Sequence, residues 1–131
     1  MNKKIFVTAD PVIIRNGKVI LVKRRFPPYK GKWALPGGRV EEESVEKTCT
    51  REAGEETGLI VKPEKIIGIY SKPGRDPRGH TVTVAFRCRV TGGKLRNSRE
   101  SFEIGDFTKH EVKKLSIAFD HMQILKDAGF L

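Results

Sequence analysis

One stretch decides what the rest of this chain must fold around: GGRVEEESVEKTCTREAGEETGL, Gly37 to Leu59. It gathers Glu41, Glu42, Glu43, Glu46, Glu52, Glu55 and Glu56 in a chain whose formal net charge is +10. From about Ser44 to Thr57 it reads as a helix. Ser44 serves as N-cap, Glu46 suits the first turn and Gly58 suits the stop. At ~100° per residue, with Val45 at zero, Thr48, Cys49 and Ala53 lie within roughly 80° and form the face that packs inward. Glu52, Glu55 and Glu56 fall in about the same arc, while Lys47, Thr50, Arg51 and Gly54 fall on the outward one. A solvated charge run would sit opposite the apolar residues. Carboxylates crowded toward a core are costly unless protons or a cation neutralise them. Magnesium and manganese prefer such oxygen ligands. Wheel geometry alone leaves two readings open: a divalent-cation site, or a surface helix bridged by lysines and arginines from elsewhere.

The segments on either side read as strands. Ile5 to Arg15 is one, with Pro11 favouring an edge or a bulge. Asn16-Gly17 is a hairpin turn into Lys18 to Lys23. Phe26 to Lys32 is a loop, and Trp33 to Leu35 a short strand ended by Pro36-Gly37-Gly38. Beyond the helix, Ile60 to Tyr70 reads as a strand broken by Pro63, Pro73 to His80 as a loop, and Thr81 to Val90 as an alternating strand. Gly92-Gly93 marks a turn, and Lys94 to Glu103 suits another short strand. Phe107 to Leu115 reads as a polar loop or helical turn, and Phe119 to Lys126 as a terminal helix. Strands before and after one central helix argue for the α+β class.

A chain of 131 residues fits a single domain spanning 1–131. The sequence pI of about 9.9 gives a surface that attracts anions, whether nucleotides, nucleic acid or anionic membrane. Two cysteines, Cys49 and Cys88, are too few for a disulfide framework and lack metal spacing. They read as reduced thiols of a cytoplasmic protein. No window approaches the ~20 apolar residues of a membrane span, and the N-terminus lacks a signal peptide's apolar stretch.

Spacing narrows the choice. Gly37, five residues, Glu43, seven residues, Arg51-Glu52-Ala53, one residue, Glu55-Glu56, one residue, Gly58-Leu59 resembles the box of the Nudix hydrolase family. Seven fixed positions at about 7 % usage each would coincide by chance with a probability on the order of 10⁻⁸. The resemblance implies an α/β/α sandwich with a central mixed sheet and a loop-helix-loop that holds Mg2+ (or Mn2+) against a diphosphate. By the same resemblance Glu52, Glu55 and Glu56 bind the metal, with a backbone carbonyl of Gly37 or Gly38 added. Arg51 holds a box glutamate such as Glu43 through a fork-shaped ion pair. Glu103, after the last expected strand, is the candidate general base outside the box, set against an ordinary surface glutamate. One departure stands out. In many relatives a glycine precedes the first box glutamate, whereas here Glu42 runs directly into Glu43 and the loop is one residue short.

The loop SKPGRDPRGH, Ser71 to His80, looks like the ADP-ribose pyrophosphatase branch, which implies ADP-ribose plus water giving AMP and ribose 5-phosphate. Read physically, two prolines stiffen it, Arg75 and Arg78 offer donors to phosphate or ribose, and His80 either bonds a ribose hydroxyl or begins the next strand. Arg24, at the end of the second strand, meets a terminal phosphate or ends the strand in solvent. Phe26 and Tyr29 read as core before base-stacking, Trp33 as core before a place under the box loop, and His121 as packing. Three alternatives stand beside this one: a nucleoside triphosphate pyrophosphohydrolase acting on ordinary or oxidised nucleotides, a hydrolase of capped RNA, and a non-catalytic nucleotide or nucleic-acid binding module supported by the positive charge. A homodimer is expected from the resemblance alone.

Overall fold

The computed structural model describes residues 4–98 and 101–131. The chain runs β1 (Ile5–Arg15), β2 (Lys18–Arg24), β3 (Trp33–Ala34), β4 (Gly38–Arg39), α1 (Val45–Thr57), β5 (Leu59–Tyr70), β6 (His80–Gly93), β7 (Ser101–Thr108), α2 (Lys109–Val112) and α3 (His121–Asp127). The seven strands form one mixed system in the order β3-β2-β1-β6-β5, with β4 on β1 and β7 on β2. β1 and β6 run parallel, from Ile5 against His80 to Ile13 against Cys88, and the other strand pairs are antiparallel.

Period-2 alternation divides the core between two faces. Ala9, Ile13, Ile20, Val84, Phe86 and Cys88 pack with Cys49 and Ala53 of α1. Val12, Val19, Leu21 and Ala85 point the other way, onto Val112 of α2 and Ile124 and Leu125 of α3. Helices on both faces of a mixed sheet make the α+β sandwich that the resemblance implied.

Local chemistry explains several boundaries. Asn16 and Gly17 both take positive φ, 52° and 72°, as the tight turn between β1 and β2 requires. The Ser44 hydroxyl accepts the Lys47 N–H at 3.1 Å and starts α1. Gly58, at φ 78°, ends it with its N–H on the Gly54 carbonyl. Elsewhere the strands run further than expected. Pro11 sits in the middle of β1, fully buried, not at an edge. It is tolerated because β1 changes partner there: β4 pairs as far as Ala9 and β2 begins at Ile14. Pro63 does not break β5, because the pairing slips a residue between Pro63 and Lys65. β7 extends to Thr108, which caps α2 through a reciprocal pair with Glu111. Of the strand expected over Lys94 to Glu103, the described residues from Ser101 onward belong to β7, Lys94 and Arg96 instead donate to the Gly58 and Thr57 carbonyls, and Arg99 and Glu100 lie outside the described residues. Among the described residues no helix is long and apolar enough to cross a membrane.

Candidate active site

β3 delivers the chain into Leu35-Pro36-Gly37-Gly38, and β4 pins Gly38 and Arg39 antiparallel to Ala9 and Thr8 of β1. Neither glycine has room for a side chain. A Cβ on Gly37 would collide with the Asp10 carboxylate and with the Ala9 carbonyl at 2.8 Å; one on Gly38 would collide with the Glu52 carboxylate. The loop therefore lies directly on α1. Gly37 N–H donates to Glu56 Oε2 at 2.6 Å. The loop's shortness appears as backbone strain at Glu42, which adopts φ 44°, the left-handed region that glycine occupies more cheaply.

Arg51 organises the acids. Its Nε and Nη2 donate to Glu43 Oε1 at 2.9 and 2.7 Å, and its Nη1 donates to Glu52 Oε1 at 2.9 Å and approaches Glu55 Oε2 at 3.3 Å. Nη2 also reaches the Arg39 carbonyl at 3.1 Å. The fork onto Glu43 expected from the family pattern is present. The outward placement given by the wheel is not, because a side chain this long swings back over its own helix. The hydrogen bonds from Arg51 and then Thr48 hold the Glu43 carboxyl below its ordinary range. The same bond to Glu43 pushes the Arg51 guanidinium up. Glu52 is 12 % exposed in its side chain and Glu55 58 %, so the three box carboxylates are not equally inward. Among the described residues no three His, Cys, Asp or Glu side chains already converge as a metal cage. The donor chemistry nonetheless fits a hard divalent cation: Glu52, Glu55 and Glu56 are oxygen donors on one helix, the Gly37–Gly38 backbone lies against Glu52 and Glu56, and Arg51 supplies the positive charge between Glu52 and Glu55.

A cavity of about 350 Å³ opens from this loop. Gly37, Gly38 and Glu56 line it together with Arg24, Asp76 and Arg78. Arg24 donates through Nε to the Pro28 carbonyl at 2.7 Å and lies 5.1 Å from the Phe119 ring centroid. Burial, then the nearby Arg78, holds its guanidinium below the usual value. Arg78 grips Asp76 through Nε at 3.1 Å and Nη2 at 2.8 Å, and stands 5.5 Å from the same ring. Burial opposes ionisation of Asp76, yet the bonds from Arg78 outweigh it and keep the carboxyl low.

Two expected site residues lie outside the cavity lining, and a third is committed to the fold. Arg75 is only 5 % exposed in its side chain. It closes its fork on Asp120 at 2.8 and 2.7 Å and gives Nη1 to Thr81 and Thr83 at 2.9 and 2.7 Å. These donors tie the loop to β6 and α3, so Arg75 does not offer a free fork to substrate. His80 begins β6, and its Nε2 sits 2.9 Å from the Ser71 carbonyl, closing the base of the loop. It lies outside the cavity lining. Glu103 is also outside: it pairs in register with Lys23, its side chain is 61 % exposed, and the neighbouring Val22 is the residue that faces the cavity. Alternation along β2 sends Lys23 and Glu103 to the opposite face.

Phe26 is 58 % exposed at the cavity wall, not core. Trp33 packs edge-on against Phe107, in the core as expected. A smaller hollow of about 80 Å³, sharing Arg24, Gly37, Gly38 and Arg78 with the cavity, is lined by Asp10, Arg75, Asp76, Phe119 and His121; the sequence did not point to Asp10, Asp76 or Phe119 there, and His121 was expected only to pack. A charged residue inside the apolar run FVTADPVII was the available signal for Asp10.

Residues 6–128 match the NUDIX domain family. An ADP-ribose pyrophosphatase of Methanocaldococcus jannaschii is 45 % identical over 122 residues, covering 92 % of this chain and 71 % of that protein. A MutT/nudix family protein of Enterococcus faecalis superposes with a TM-score of 0.84 at 28 % identity, over 98 % of this chain and 62 % of the other. The NUDIX domain of Shewanella oneidensis NrtR, solved with ADP ribose, superposes with a TM-score of 0.81 at 26 % identity, over 98 % and 88 %. The chain thus spans about two thirds of the length of the first two.

Proposed function

The chain belongs to the NUDIX domain family, and on that premise we propose that it is a metal-dependent hydrolase of a nucleoside diphosphate linked to a second group. ADP-ribose, cleaved to AMP and ribose 5-phosphate, is the substrate that its features support best. One observation carries the reading: a single cavity is lined both by Glu56 with the glycine loop and by the Arg24, Asp76 and Arg78 cluster. A dianionic diphosphate needs both, cation-binding carboxylates to offset its charged phosphoryl oxygens and guanidiniums for its outlying phosphate or sugar.

Glu52, Glu55 and Glu56, with a carbonyl of Gly37 or Gly38, would hold Mg2+ or Mn2+. Bound there, the cation would neutralise the diphosphate and lower the pKa of water. This chain's own residues do the rest. Arg51 gathers Glu43, Glu52 and Glu55, and the Gly37 N–H fixes one oxygen of Glu56. Arg24, partly desolvated and hydrogen-bonded to Pro28, is preorganised for an anion. The general base is then sought among the box glutamates, since Glu103 faces away.

The test is a kinetic screen with magnesium and with manganese, comparing ADP-ribose with ordinary and oxidised nucleoside triphosphates, and with Glu56→Gln as control. Preferred turnover of ADP-ribose that collapses in the control is the expected result. Preference for a triphosphate would move the chain to the neighbouring substrate class, and turnover unchanged in the control would reject the site.

A further inference from the structure

Two buried polar side chains meet beneath the glycine loop, and the proposed reaction uses neither. Asp10 of β1 and His121 of α3 are each 6 % exposed. His121 Nδ1 accepts the Leu35 backbone N–H at 3.0 Å. A backbone amide can only donate, so Nδ1 carries the lone pair and the ring proton of the neutral imidazole resides on Nε2. That nitrogen lies 3.3 Å from Asp10 Oδ2. The other Asp10 oxygen occupies the space where a Cβ of Gly37 would be. The Gly37 N–H itself holds Glu56 Oε2 at 2.6 Å. One contiguous chain of contacts therefore runs from α3 to the catalytic helix: His121 to Leu35 and Asp10, Asp10 to Gly37, Gly37 to Glu56.

The C-terminal segment is built to deliver that histidine. Residues 116–118 run beside Trp33, whose N–H donates to the Ser116 carbonyl at 2.9 Å and whose carbonyl accepts from Ala118 at 2.8 Å. Phe119 then adopts φ 54°, an uncommon backbone for a bulky residue that needs outside support. The turn it makes brings His121 back onto the loop.

We propose that His121 is a positioning residue: it sets the Leu35–Gly38 backbone, directly through Leu35 and indirectly through Asp10, so that the Gly37 N–H holds Glu56 in its working orientation. The proposal rests on the reading of Glu56 as a hydrolytic carboxylate. A histidine that merely packs would affect stability and leave turnover alone, so the test separates the two.

In the wild-type protein near neutral pH, ¹⁵N spectra of the imidazole are expected to show Nε2 protonated and Nδ1 bare; a proton on Nδ1 overturns the proposal. His121→Asn keeps an acceptor at the Nδ1 position, whereas His121→Gln carries its polar atoms at the Nε2 position and His121→Phe has none. Leu35 amide exchange should stay slow in His121→Asn and become fast in the other two. With whichever diphosphate the wild type cleaves, kcat of His121→Gln and His121→Phe should fall roughly 10-fold to 100-fold at nearly unchanged KM, the scale of a misplaced catalytic group. His121→Asn should recover most of that loss. Equal losses in Asn and Gln, a loss confined to KM, or equal Leu35 protection in all variants would overturn the proposal. Should the Phe variant not fold, the Asn–Gln comparison still decides. A wild type without diphosphatase activity would reject the proposed function, while spectra and exchange would still judge the anchor.

Discussion

The Glu52 carboxylate lies so close to the Gly38 Cα that no side chain fits between them. Helix and loop thus make contact through one missing atom group. Gly38→Ala must push either β4 off β1 or Glu52 off its contact with Arg51 at 2.9 Å. Either displaces an acid of the site. The expected outcome is a fall in kcat/KM of about 100-fold, the size seen for ångström-scale misplacement, with a cooperative unfolding transition preserved. Steady-state kinetics beside a thermal melt would check both halves.

Arg75 and Arg78 are three residues apart and should behave differently. Arg75 is closed on Asp120, Thr81 and Thr83 inside the fold, whereas the Arg78 side chain is 52 % exposed and lines the cavity. Removing one partner of a part-buried, hydrogen-bonded ion pair typically costs about 1–3 kcal/mol. Arg75→Met is therefore expected to lose stability on that order, read from urea unfolding, while KM measured below its melting range changes little. Arg78→Ala is expected to raise KM about 10-fold, the worth of one charge-assisted contact, and to lose some stability as well, because the buried Asp76 carboxylate loses its Nε and Nη2 partners. If the two profiles were exchanged, the assignment of Arg75 as structural would be wrong.

What could be read beforehand was what chemistry decides within a few residues. Asn16-Gly17 specifies its turn, Ser44 and Gly58 bracket α1, and the spacing from Gly37 to Gly58 names the family, because each depends on neighbours along the chain. The site was legible as far as the box. It was not legible where function depends on reach or on distant partners. A helical wheel gives the direction of a Cα–Cβ bond, so it put Arg51 outside although its guanidinium returns to Glu43 and Glu52. Arg75 looked available because its partner, Asp120, is 45 residues away. His121 looked like packing because the amide it anchors is 86 residues away. Glu103 had the right position in the chain and the wrong face, which strand pairing alone determines.

The short box loop has a separate consequence. Glu42 stands at φ 44° where many relatives have glycine. Holding a residue with a Cβ there costs about 1–2 kcal/mol, partly offset because glycine has more freedom to lose on folding. Glu42→Gly is therefore expected to stabilise the fold by up to about 1 kcal/mol. Its kcat should stay near wild type, since the Glu42 side chain takes no part in the Arg51 network. Urea unfolding of the two proteins side by side would measure it, and a destabilised glycine variant would show that the loop is held by something other than the backbone geometry seen here.

Acid should loosen this protein through particular carboxyls. Glu43 is lowered by hydrogen bonds from Arg51 and Thr48. In Asp120 burial opposes ionisation, but the bonds from Arg75 outweigh it and hold the carboxyl low. A group whose folded pKa lies below its unfolded value contributes stability above the unfolded value, about 4 for these side chains, and loses it as pH falls through the folded one. The contribution of both pairs should be complete at neutral pH and decline below about pH 4. Glu43→Gln and Asp120→Asn should each be less stable than wild type near neutrality and converge on it in acid. Denaturation at a series of pH values would reveal that convergence; a gap that stayed constant down to pH 3 would mean that the lowered carboxyls carry none of the pH dependence.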